Sequence, residues 1–253
     1  MTELLLLVPI AFLAGVANAI VGGGGLMVVP GLFSAYPGAL PATLLGTDKA
    51  ASVPGHGMAI AQYARRIELP WRLLAPSAAA ALVGAYAGAT CAHLMPTAWM
   101  RPLVIALASL MLVYTALNPK MGAQDQAGPV TGRTRALGML LGGAIGFYDG
   151  FFGPGAGTFL LFLFVKVFRF DFLRAAACSK VLNMTTNVAA LSFFLPNGHV
   201  AWGAAVPMGA AAIAGSVLGT RIALRGGSSR VRFFFLGIST LLLAKMVADL
   251  LRD

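Results

Sequence analysis

Lys49 and Lys180 lie 131 residues apart, each inside an apolar run, and each is followed three and seven positions on by hydrogen-bonding side chains. Ser52 and His56 follow the first lysine; Asn183 and Asn187 follow the second. In a helix that spacing puts each lysine and its two followers on roughly one face. A cation flanked by such donors suits the oxygens of a sulfonate, sulfite or carboxylate. The same residues also allow a plainer reading. Lysines can pair with a carboxylate, Lys49 with Asp48 or Asp149, and Thr185, Thr186 and Asn187 can serve as interhelical hydrogen-bonding groups. Asn18 and Asp149 occupy a second matched pair of positions, each four residues before a glycine run. Small polar side chains at these positions can hydrogen-bond the broken backbone; in the functional reading Asn18 is a ligand contact, and Asp149 or Asp48 a proton carrier or a lysine counter-ion.

The glycines themselves are candidates. Gly22-Gly23-Gly24-Gly25 and Gly153-Pro154-Gly155-Ala156-Gly157 break any helix that enters them. At membrane depth such a break is tolerated only where it is buried or lines a cavity. The helix that follows each run would turn its N–H groups and positive dipole end toward that cavity, which favours an anion. The expected substrate-binding set is therefore Asn18, Gly22, Gly23, Gly24, Gly25, Lys49, Ser52, His56, Gly153, Gly155, Lys180, Asn183 and Asn187, with Asp48 and Asp149 coupling protons. No HExxH, paired-cysteine or carboxylate cluster exists to hold a metal, and no nucleophile and base stand together. Neither an enzyme nor a cofactor is expected.

These residues sit in a chain of 253, of which 58% are apolar and only 10% charged, with mean hydropathy +0.84. That composition suits lipid as solvent. The formal charge of +10 does not indicate nucleic acid, because the cations occupy short loops between apolar runs and not a stripe with aromatics. The runs are 4–21, 25–36, 42–64, 71–94 and 100–117, then 136–152, 156–168, 172–195, 202–220 and 231–250. The first lacks a basic n-region, so a signal peptide is not expected there. Cys91 and Cys178 read as packing residues with no bridge between them.

The two sets of five are copies. At a constant offset of 131, Gly15 matches Gly146, Gly22 matches Gly153, Lys49 matches Lys180, Trp71 matches Trp202, Pro76 matches Pro207 and Gly84 matches Gly215. The short first pair of segments in each half reads as a glycine-tipped hairpin, crossing fully or re-entrant. With five segments per half, Arg65, Arg66, Arg72, Lys120, Arg133, Arg135, Lys166, Arg169, Arg174, Arg221, Arg225, Arg230 and Arg232 all fall on one side, thirteen of the eighteen cations. Four crossings per half would divide the loops almost evenly. The positive-inside rule therefore selects an inverted repeat. The expected fold is all-α and integral to the membrane. Residues 1–117 and 136–253 form two inverted-topology repeats, 118–135 is a cytoplasmic linker, and both termini are periplasmic. Lys245, near a segment end with Tyr114 as its counterpart, reads as a snorkelling residue.

The motif Gly15-Val-Ala-Asn-Ala-Ile-Val-Gly-Gly-Gly-Gly-Leu and its copy Gly146-Phe-Tyr-Asp-Gly-Phe-Phe-Gly-Pro-Gly-Ala-Gly resemble those of the TauE/SafE sulfite-exporter family. The resemblance extends through Thr47-Asp-Lys-Ala, Lys180-Val-Leu-Asn-Met-Thr-Thr-Asn and Gly198-His-Val-Ala-Trp. It implies a multi-pass transporter of the bacterial inner membrane, moving sulfite, a sulfonate or a related organosulfur or carboxylate anion, usually outward. Alternating access is the expected mechanism. The partners would be that small anion, the bilayer and a second copy in a homodimer. A passive anion channel and, less favoured, a membrane-embedded enzyme are the alternatives.

Overall fold

A computed structural model describes residues 2–94 and 125–250, with side chains for 3–93 and 125–226. Among these residues every regular element is an α-helix: α1 (Thr2–Val21), α2 (Gly25–Ala35), α3 (Pro41–Tyr63), α4 (Trp71–Leu94), α5 (Gly132–Phe151), α6 (Ala156–Lys166), α7 (Phe172–Phe194) and α8 (Trp202–Leu250). The sequence segment 100–117, with Arg101 and Tyr114, and most of the linker lie outside the described residues. So does the side chain of Lys245.

Sequence chemistry sets these boundaries. Pro41 opens α3 at a position where no N–H is needed, and Asp171 caps the matching helix α7 by accepting from the Arg174 N–H at 2.9 Å. A Thr131–Thr134 capping box starts α5 inside the segment read as linker. The stretch before it is fastened to the 169–174 turn by the Asp125–Arg174 ion pair at 2.8 Å. The α1–α2 and α5–α6 breaks turn at Gly22 (φ 87°) and at Gly153 and Gly155 (φ 98° and 84°), backbone that side-chain-bearing residues adopt only at a cost. α2 and α6 have 11 residues each, about 16 Å of rise against a hydrocarbon core near 30 Å. Neither helix spans that core by itself.

One boundary differs from expectation. The sequence separates 202–220 from 231–250 at an arginine-bearing loop, whereas the backbone continues as a single helix to Leu250. No proline follows Pro207 in α8. Gly226 and Gly227 cost about 1 kcal/mol each against alanine, too little to end a helix unaided. Its apolar span nevertheless ends at Gly226.

The offset of 131 is present in three dimensions: α2 and α6, α3 and α7, and α4 and α8 begin 131 residues apart. Packing obeys an exchange of halves. A side chain on Gly84 or Gly88 of α4 would strike the backbone of α5 at Gly143, Phe147 and Phe151; on Gly215 or Gly219 of α8 it would strike α1 at Phe12 and Val16. These are the same contacts with the halves swapped. Gly46 lies against Phe194 and Gly57 against Met184, so α3 and α7 run antiparallel. α1 runs with α3, since Gly15 and Gly55 both meet Ala212 and the Tyr63 hydroxyl donates to the Ala19 carbonyl at 2.9 Å. α5 runs with α7, since Gly142 meets Leu182 and Asp149 is bonded by Thr186. α1 and α5, like α3 and α7, thus point in opposite directions.

The distribution of polarity is inside-out for a water-soluble chain. Leu5, Val83 and Leu140 are 76%, 68% and 68% exposed, while Lys49 and Lys180 are 2% and 0% exposed. Among the described residues three helical stretches, Glu3–Val21, Trp71–His93 and Trp202–Gly226, are long and apolar enough to cross a membrane. Trp71 and Trp202 stand exposed at matching helix starts.

Candidate functional site

α3 and α7 pack against each other and, among the described residues, carry most of the buried polar side chains. From α3 come Thr47, Asp48, Lys49 and His56; from α7, Ser179, Lys180, Asn183, Thr186 and Asn187; α5 adds Asp149. Burying this many polar groups is costly unless they satisfy one another, and Lys49 does so. Its Nζ donates to Asp149 Oδ1 at 2.6 Å, with both side chains 2% exposed. The other carboxylate oxygen accepts from Thr186 Oγ1 and, at 3.4 Å, from Asn187 Nδ2. Asn187 also donates to the Asn183 carbonyl at 2.6 Å. Lys49 Nζ abuts Gly153, where a side chain would take its place. Of the two partners the sequence allows Lys49, the fold supplies Asp149.

A small cleft opens onto this network, lined by Asn18, Gly22, Gly25, Asp48, Lys49, Ser52, His56, Asp149, Gly153, Gly157, Asn183 and Asn187. Its free space is about 20 Å³, little more than a water molecule needs. The Asn18 amide turns back to accept the Gly24 N–H at 3.1 Å, holding the broken backbone. Ser52 reaches Asp48 at 3.4 Å. A second, largely apolar cavity shares Asn18, Ser52 and His56 with the cleft and continues between α1, α3 and α8.

Eleven of the fifteen residues expected from sequence line the cleft. Gly23, Gly24, Gly155 and Lys180 do not. Gly24 has its N–H on Asn18, and Gly155 is the left-handed residue that starts α6, packed near Leu26. Lys180 is fully buried one turn before Asn183. Its Nζ has no hydrogen-bond partner, and no charge among the described residues offsets its burial. Gly157, absent from the expected set, matters because its Cα lies against Gly22 where the two breaks meet. The signal was its place beside the second glycine run. Thr186, read as an interhelical hydrogen-bonding group, is one, and its acceptor is the ion-paired carboxylate. Among the described residues no group of three or more His, Cys, Asp or Glu could hold a metal ion.

A helical bundle with lipid-suited outer faces, glycine-broken hairpins and a charged centre defines a multi-pass membrane protein of the transporter class. The chain belongs to the sulfite exporter TauE/SafE family, whose model matches residues 7–246. It is 35% identical over 239 residues to the "Probable membrane transporter protein ORF9" of Sinorhizobium sp, covering 94% of this chain and 90% of that one. It is 33% identical over 240 residues to the "Probable membrane transporter protein YfcA" of Escherichia coli K12, covering 95% and 88%. A "Probable membrane transporter protein" of Haemophilus influenzae is 30% identical over 246 residues, covering 97% and 95%. No solved structure matches. The family and these relatives are membrane transporters by name and not enzymes.

Proposed function

We propose that the protein is a secondary transporter that carries a small anion, such as sulfite, a sulfonate or another organosulfur or carboxylate compound, across the bacterial inner membrane by alternating access. Export is the direction in keeping with the family's name, and proton coupling is assigned to this polar centre. The observation that carries the reading is Lys180: its side chain is wholly buried, no counter-ion faces it among the described residues, and it lies one turn before Asn183, which lines the polar cleft. Such a group attracts an anion, and the exchange of halves supplies the two-way geometry on which alternating access rests. The loop cations support an inverted topology with residues 1–117 and 136–253 as repeats, the linker in the cytoplasm and both termini in the periplasm.

The test is flux in proteoliposomes. Labelled sulfite and small sulfonates should enter or leave saturably, respond to an imposed proton gradient, and cease to do so in Lys180→Met that remains folded. Non-saturable flux indifferent to the gradient would instead identify a passive pore.

A further inference from the structure

The two lysines are related by the exchange of halves but are not in equivalent electrostatic states. Applied to Lys49 and Asp149, the offset of 131 yields Lys180 and Asn18. One half therefore supplies its lysine with a carboxylate and the other supplies a neutral amide, itself engaged with the Gly24 N–H. The remaining groups at the centre do not make good the deficit. α3 contributes Asp48, Lys49 and His56, and α5 contributes Asp149; both acids lie in the field of Lys49, while His56 lies within electrostatic reach of both lysines. On the cleft wall α1 presents Asn18, α2 and α6 present Gly25 and Gly157, and α7 presents Asn183 and Asn187, none of them charged. Among the described residues of α4 and α8 the buried polar groups are Ser77, Ser216 and Thr220.

A lone ammonium in such surroundings is the costlier form of a lysine, and an arriving anion removes that cost by serving as its counter-ion. We infer that Lys180 is at once the anion ligand and the proton carrier: one proton and one monoanion enter together, forming a lysinium–anion pair, and leave together. In charge terms, an amine, a proton and a sulfonate become an ammonium–sulfonate pair with no net charge transferred. Coupling then needs no separate acid, and Asp48 and Asp149 take no part in the stoichiometry. This inference rests on the anion-transporter reading above and assigns its coupling to one residue.

Proton uptake measured with the binding decides it. Ethanesulfonate, which does not itself titrate near neutrality, is added to the purified protein in two buffers of different ionisation heat. Calorimetry should give about one proton taken up per anion bound, with affinity falling toward tenfold per pH unit as pH rises. Lys180→Arg, permanently charged, should bind the anion with no uptake. Anion binding by wild type without uptake, or uptake that persists in a folded Lys180→Arg, would overturn the assignment while leaving an anion transporter standing. If wild type binds none of ethanesulfonate, sulfite or acetate, the functional reading fails and the inference fails with it.

Discussion

Lys49 Nζ and Asp149 Oδ1 meet at 2.6 Å across the interface between the two halves, buried from both sides. The pair links α3 to α5 and, through Thr186 and Asn187, to α7. Three helices from two repeats thus share one carboxylate.

Removing one partner leaves the other charge buried alone, which costs about 3–5 kcal/mol. Asp149→Asn should therefore lower the unfolding temperature in detergent strongly, and Lys49→Met should do so as well. Because the loss arises from the unpaired partner, the double variant should recover much of it. If the two losses simply add, the pair is not the unit that holds the halves together.

The close approach of Gly22 and Gly157 invites a second substitution. Gly22 has φ 87°, and a Cβ there would overlap the Gly157 backbone. Left-handed backbone alone costs an alanine about 1–2 kcal/mol, and the overlap would push the two hairpin tips apart. Gly22→Ala should lose transport and at least that much stability, whereas Gly38→Ala, which meets nothing within 4 Å, should change neither. Equal behaviour of the two alanines would remove the tip contact from the argument.

The matched helix starts were legible because their markers are residues that sequence chemistry cannot disguise. Gly22 and Gly153 take the left-handed backbone that follows α1 and α5, and Pro41 and Asp171 start α3 and α7, so the helix boundaries appear at the same offset as the motifs. The pairing of Lys49 was not legible, since Asp48 beside it and Asp149 100 residues away are equivalent in a linear reading. Only the register of α3 against α5 separates them. The same holds for Lys180, whose lack of a partner is a property of everything packed around it. The break expected after residue 220 failed for a local reason: consecutive glycines and serines weaken a helix but, unlike proline, leave its hydrogen bonds possible.

At the end of the bundle His199 lies 5.2 Å ring to ring from His93, with its Nδ1 3.3 Å from Thr43 Oγ1. Burial, and then the neighbouring His93, hold its imidazole below the usual range. A base with a lowered folded pKa binds more protons when unfolded, so its contribution to stability is present above about pH 6.5 and declines as pH falls below that value. The unfolding temperature should drop between pH 7.5 and pH 5, and His199→Gln should reduce that drop. The effect should be small, because the ring is only partly buried. An unchanged drop in the variant would assign the pH dependence to other groups.

The asymmetry between Asp149 and Asn18 can be abolished by one substitution. Asn18→Asp gives Lys180 the carboxylate that Lys49 already has, at the position related to Asp149 by the exchange of halves. The new acid is a built-in substitute for the transported anion, and it should pair with Lys180 as Asp149 pairs with Lys49. Two consequences should appear together in the purified protein. The unfolding temperature should rise, since a buried cation gains its counter-ion, and the stabilisation conferred by added sulfite or ethanesulfonate should disappear. Asn18→Ala separates charge from the loss of the Gly24 hydrogen bond: it should lower stability and retain the anion response. A variant Asn18→Asp that still responds to anions as wild type does would mean that Lys180 and position 18 do not face one another across the site, and that the anion is held elsewhere.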